Sequence, residues 1–187
     1  MEYINNSHLP RVLTRSMSRN VSAITHRTYK LVLELRRRSE RLVDLYRRLQ
    51  GPPFSRPGFQ GPGDREEGDG DVEEGAWLRA EHRAYSGLAR DLALVLEEQR
   101  ELNPGRASLR LLDELAYFAV NTRGLAANLE QLLAGLGPGP SPPALPPDLA
   151  PSSNWEKKLR GLEVCVRCSR CLGASEEGFA ALVAKSA

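Results

Sequence analysis

Cysteine and histidine are scarce, three of each among 187 residues, which leaves little material for a metalloenzyme or a disulfide framework. Strand chemistry is thin too. β-Branched residues are few and alternation of apolar and polar residues never persists, so a sheet-based fold is not expected. Aromatic residues make up only 6% of the chain, and no stacking platform accompanies its basic residues. Charge of one sign is missing as well: 26 Lys and Arg stand against 24 Asp and Glu, a formal charge of +2. No nucleic-acid partner is expected from that balance. No apolar run approaches the roughly 18 residues of a membrane span, so membrane insertion is not expected either. His8, His26 and His82 are scattered, no glycine-rich phosphate loop opens a helix, and no nucleophile elbow occurs. The chain reads as a non-enzyme without metal or cofactor. Its first twenty residues carry Glu2, His8, Arg11, Arg15 and Arg19 and no apolar core of the kind a conventional signal peptide needs. Two N-glycosylation sequons, Asn5-Asn6-Ser7 and Asn20-Val21-Ser22, matter only if the chain enters the secretory route.

What is present is helix-forming. Hydrophobic residues make up 41% and charged residues 27%, a balance that supports a packed core. Eleven of the 13 prolines fall in two windows, 52–62 and 138–151, which marks these as connections. Four helical segments remain. The first, 25–50, places Leu31, Leu35, Leu42, Leu45, Tyr46 and Leu49 on one face. The second, 77–102, does the same with Leu78, Tyr85, Leu88, Leu92, Val95 and Leu96. The third, from Ser108, carries Leu112, Leu115, Phe118, Leu125, Leu129, Leu132 and Leu136, with Ser108 as its expected N-cap. The fourth, 155–184, rests on Trp155, Leu159, Leu162, Val166, Leu172, Phe179 and Leu182. Gly161, Gly173 and Gly178 weaken that last helix by about 1 kcal/mol each.

The expected organisation is a flexible segment, 1–24, followed by one domain, 25–187, with connections at about 51–75, 103–107 and 137–154. The short middle link makes the second and third helices antiparallel neighbours. The two outer links are long enough to return along a whole helix, at up to about 3.3 Å per residue. Long, short, long predicts an all-α, four-helix up-up-down-down bundle with two long crossover loops. An up-down bundle with loose loops is the competing topology.

Cys165, Cys168 and Cys171 form a C-x2-C-x2-C run, but iron–sulfur or tetrahedral zinc binding needs a fourth ligand that the neighbourhood lacks. Packing as small apolar side chains is the simpler reading. The first helix carries eight basic and three acidic residues between Arg27 and Arg48, and residues 64–74 answer with seven acids and one Arg. That acidic stretch lacks the ligand order of an EF-hand. The basic face reads as a solvated or protein-binding surface, and an intracellular helical adaptor using it remains an alternative function.

Four stretches then carry a family resemblance. Leu49-Gln50-Gly51-Pro52-Pro53-Phe54-Ser55-Arg56-Pro57-Gly58-Phe59 resembles the exit from the first helix in the cardiotrophins, neuropoietin and cardiotrophin-like cytokine. Leu102-Asn103-Pro104-Gly105 and Leu132-Leu133-Ala134-Gly135-Leu136-Gly137 resemble the same cytokines. Trp155-Glu156-Lys157-Lys158-Leu159-Arg160-Gly161-Leu162-Glu163-Val164 resembles the start of the fourth helix in ciliary neurotrophic factor. From about residue 25 to the C-terminus, the chain is identified as a member of the cardiotrophin and ciliary neurotrophic factor branch of the interleukin-6 family.

The resemblance implies a secreted, monomeric cytokine that joins receptor chains of the glycoprotein-130 and leukaemia inhibitory factor receptor type to trigger kinase and STAT signalling. Several family members lack a conventional leader yet act outside cells, which fits this N-terminus; a cytoplasmic pool is expected beside the secreted one. The family's aromatic-x-x-Lys motif for the leukaemia inhibitory factor receptor falls on Trp155, in place of the usual Phe, and Lys158. The competing role for Trp155 is to cap the bundle end as core. For the glycoprotein-130 chain, the family uses exposed parts of the first and third helices. Here those faces present Lys30, Glu34, Arg37, Arg41, Asp44 and Arg48 on one helix and Tyr117, Val120, Gly124 and Ala127 on the other. A Trp and an Arg of relatives, associated with an α-receptor, correspond to Cys171 and Ala174, which puts binding to a ciliary neurotrophic factor α-receptor in doubt and leaves a different α-receptor, or none, as the alternatives.

Overall fold

The computed structural model describes residues 9–57, 59, 73–134 and 153–185, with side chains from residue 20 onward. Four helices make up almost all of it: α1 (Leu9–Gln50), α2 (Glu74–Leu102), α3 (Leu109–Leu133) and α4 (Asn154–Lys185), with a short 3-10 turn at Arg106–Ser108. Among the described residues there is no strand. Most of both long connections, and Leu136, lie outside the described residues.

Helix α1 corrects the expected N-terminal boundary, since it begins at Leu9 and not near residue 25. The physical reason is an absence of breakers: between Pro10 and Gly51 there is neither proline nor glycine. Pro10 itself sits in the first turn, where its missing N–H has no helical partner to lose. The apolar face that suggested a start at residue 25 marks where core burial begins, and the helix runs on ahead of it. At the other end Gly51 takes a left-handed φ of 67°, and its N–H bonds to the Arg47 carbonyl at 3.2 Å, so glycine stops the helix there. Pro104 stops α2 in the same sense.

Ion pairs fix the directions. Along α4 and α2, Lys157 meets Glu101 at 2.8 Å, Arg160 meets Glu98 at 2.9 Å, Arg167 meets Asp91, and Lys185 meets Glu74 at 3.0 Å. Numbers rise on one helix as they fall on the other, so the two are antiparallel along their full length. On α1 and α3, Arg27 bonds to Asn128 at 2.9 Å and Arg38 to Glu114 at 3.0 Å, again antiparallel. Tyr46, near the end of α1, donates to the Lys158 carbonyl at the start of α4 at 2.9 Å. Both α1 and α2 therefore oppose α3 and α4, which is the expected up-up-down-down order.

The core is continuous through Val32, Leu35, Leu42, Leu88, Leu92, Leu115, Phe118, Leu125, Leu162, Leu172 and Phe179, all buried. Two glycines of α4 have a packing reason that propensity alone hides. A Cβ on Gly161 would lie 2.0 Å from the Tyr46 hydroxyl, and one on Gly178 would lie 2.3 Å from the Trp77 ring. At each point an aromatic side chain lies directly on helix backbone.

Ser108 behaves differently from expectation. It occupies the N-cap position of α3 but makes no capping hydrogen bond. Its backbone is already helical after the 3-10 turn, so its Oγ is directed backward to the carbonyls of Asn103 and Gly105, at 2.6 and 2.7 Å.

Candidate functional site

The start of α4 is built in three layers. Ser153 caps the helix: its Oγ accepts from the Glu156 N–H at 3.2 Å, while its own N–H donates to the Glu156 carboxylate at 2.7 Å. This is a capping box, legible in Ser153-Asn154-Trp155-Glu156 but not singled out from the sequence. Those bonds from Ser153 hold the Glu156 carboxyl below the usual carboxylate range.

Beneath the cap lies a buried polar cluster. Tyr46 Oη donates to the Lys158 carbonyl and accepts from Gln99 Nε2, each at 2.9 Å. Gln50 and Asn103 donate to Gln99 Oε1 at 2.6 and 2.8 Å. Burial pushes the Tyr46 hydroxyl pKa strongly upward, so it stays a donor. The ends of α1 and α2 are thereby tied to the first turn of α4. Helix phase places Gln50 and Gln99 on the core faces, four residues after Tyr46 and Val95, but an apolar stripe counts only apolar residues and so passes over them.

On this base sits Trp155. Its ring lies 5.0 Å from Phe54, which is fully buried and stacks edge-on with Phe59 at 5.3 Å. Trp155 nevertheless keeps 49% of its surface exposed, one of four large exposed hydrophobic residues among those described. It is therefore no part of the buried stripe of α4. Lys158, three residues on, is half-buried on the same side of the helix. The pair presents an apolar face and a cation together.

The second set of candidate residues divides in two. Lys30, Glu34, Tyr117, Val120 and Gly124 lie together where α1 crosses the middle of α3. There Tyr117 donates to Glu34, Arg38 lies 3.7 Å over the Tyr117 ring, and Val120 is 64% exposed. A Cβ on Gly124 would meet Leu31 at 3.8 Å, so the small residue lets the helices approach. Arg37, Arg41 and Arg48 diverge from this patch. With Glu40, Asp44, Leu45 and Arg110 they line a separate depression of about 350 Å³ near the start of α3.

Cys165 and Cys168 are buried and Cys171 is half-buried, all three as free thiols. Burial pushes the Cys165 thiol well up and Cys168 to about 12, so both stay protonated and pack as core. Ala174 is exposed. No described helix is long and apolar enough to cross a membrane.

Cardiotrophin-2 of Pan troglodytes is 31% identical to this chain over 149 residues, covering 73% of this chain and 72% of that one. Cardiotrophin-1 of Homo sapiens is 33% identical over 163 residues, 80% of each chain, and cardiotrophin-1 of Mus musculus is 32% identical over 164 residues, 78% of each. No family model and no solved structure matches. With this identity spread over most of both chains, and with a four-helix crossover bundle beneath it, the chain belongs to the cardiotrophin family of secreted, non-enzymatic cytokines.

Proposed function

We propose that this cytokine acts by holding two receptor chains on separate faces of one bundle, a leukaemia inhibitory factor receptor type at the start of α4 and a glycoprotein-130 type across α1 and α3. The observation that carries the reading is Trp155, half-exposed yet braced from below by Phe54. A rigid aromatic with one open face loses little side-chain freedom on binding, which is the profile of an interface anchor. Lys158 supplies a cation whose stem lies along the same surface. For the second receptor, Val120 and Tyr117 offer apolar contact with Lys30 and Glu34 at their edge, and Gly124 keeps that surface low. Cys171 and Ala174 provide neither the ring nor the cation of relatives, so this reading requires no ciliary-type α-receptor.

The test is titration of the folded protein against the leukaemia inhibitory factor receptor ectodomain, with Trp155→Ala and Lys158→Ala alongside. Wild type should bind, and Trp155→Ala should weaken binding by about 2 kcal/mol with little change in the thermal midpoint. Binding that ignores both substitutions would move the contact elsewhere on the bundle. No binding by folded wild type would end the receptor assignment.

A further inference from the structure

The depression at the α1–α3 end has a chemistry unlike either candidate receptor face. Arg37, Arg41, Arg48 and Arg110 line it, and none of the four makes an ion pair within the described structure. Of its two acids, Glu40 is already paired with Arg36 at 3.1 Å, which leaves Asp44 alone against four guanidinium groups. The whole chain carries only +2, so the positive charge here is local and is balanced elsewhere. Helix phase makes it linear. Arg37, Arg41 and Arg48 fall within about 40° of one another around α1 and span about 16 Å along its axis, with Arg110 across the depression on α3.

We infer that this row is a docking site for a sulfated, linear polysaccharide of the extracellular matrix, separate from both receptor faces. A folded protein partner would be anchored by aromatic or aliphatic groups, and interface cores are poor in charge. Leu45, half-buried, is the only apolar side chain in the lining. An extended polymer with repeating oxyanions needs no such anchor, since each sulfate can accept paired N–H bonds from a guanidinium. The choice of polysaccharide over other polyanions rests on the secreted cytokine assignment; the charge row itself does not. Held this way, the cytokine would gather at matrix surfaces with Trp155 left free, because Arg37, Arg41 and Arg48 lie roughly 140–180° around α1 from Tyr46, the residue that meets the α4 start.

Heparin is the probe. Retention on immobilised heparin and titration with soluble heparin at about 0.15 M salt would compare wild type with two triple variants of equal charge. These are Arg37→Gln/Arg41→Gln/Arg48→Gln and, on other faces, Arg79→Gln/Arg83→Gln/Arg123→Gln. The expected result is wild-type retention, at least tenfold weaker binding for the first variant, less than twofold for the second, and loss of binding to desulfated heparin. Circular dichroism establishes that each variant is folded. Equal effects of the two variants would reduce the interaction to net charge and overturn the proposal. So would failure of wild type to bind at that salt concentration. Receptor ectodomain binding is measured on the same samples: if the first variant loses receptor affinity and wild type ignores heparin, the row is a receptor contact. A heparin result of either sign leaves the Trp155 test intact.

Discussion

The two ends of the bundle solve one packing problem with different chemistry. At one end Tyr46 lies on Gly161, and at the other Trp77 lies on Gly178. Both glycines let an aromatic ring replace a Cβ, so α4 stays close to its neighbours at either extreme. Tyr46 is completely buried, and its hydroxyl is shared between the Lys158 carbonyl and Gln99. Trp77 is only half-buried and contacts Phe179 edge-on at 5.1 Å. At the first end the aromatic on the glycine is itself fixed by directional bonds. Trp77, by contrast, is held by ring contact alone, and the directional bonds of its end belong to neighbours, Tyr85 to Ser175 at 2.7 Å and Lys185 to Glu74 at 3.0 Å. Trp155 sits at the end whose buried aromatic is hydrogen-bonded, as an anchor that must not move requires.

Gly161→Ala should break the comparison most severely. Its new methyl group meets the Tyr46 hydroxyl and ring in a site with no room to yield, and about 3 kcal/mol should be lost despite alanine's better helix propensity. Urea denaturation followed by far-ultraviolet circular dichroism measures it; an unchanged midpoint would mean that the Tyr46 end is as tolerant as the other. Tyr46→Phe comes next. It strands the Lys158 carbonyl and Gln99 amide, at a cost of about 2 kcal/mol. Because burial raises the hydroxyl's pKa, its stabilisation is complete below the unfolded value near 10 and declines as pH rises above it. Wild type should therefore lose stability above about pH 10 more steeply than Tyr46→Phe does. Gly178→Ala should cost only about 1 kcal/mol, because the half-exposed Trp77 can swing outward. Losses of equal size at Gly161 and Gly178 would erase the distinction.

The helices, their order and their crossover topology were legible in the sequence for the same reason: apolar periodicity and proline placement act locally, and a bundle is mostly local structure. Tyr85, Leu88, Leu92, Phe118 and Phe179 fall in the core as their spacing predicts. What the pattern missed depends on contacts between distant segments. Gly161 read as a weak point in α4, and only the proximity of Tyr46, 115 positions earlier, turns it into a seat. Gln50 and Gln99 share the core faces by phase but do not enter an apolar stripe, so their bond to each other and to Tyr46 was not legible. Trp155 and Lys158 came from family resemblance. The partition of the basic face, with Arg41 and Arg48 leaving Tyr117 and Val120, needed the register of α1 on α3.

The smallest effect concerns the cap above the Tyr46 end. Ser153 holds the Glu156 carboxyl below its ordinary range, so the cap contributes stability above about pH 4.3 and loses it as pH falls through the depressed value. Protonation weakens the acceptor for the Ser153 N–H and loosens only the first turn, because Tyr46, held by Gln99, still donates to the Lys158 carbonyl. Trp155 fluorescence should therefore change in acid while far-ultraviolet ellipticity stays flat, and Glu156→Ala should show the acid-like signal already at pH 7. The variant should melt within a degree or two of wild type. If instead it melted cooperatively at a much lower temperature, the cap would be holding the bundle end and the buried cluster would be secondary. A small, local effect would mean that Trp155 is placed mainly from below, by Phe54 and the Tyr46 cluster, with the capping box setting only how tightly its helical turn is wound.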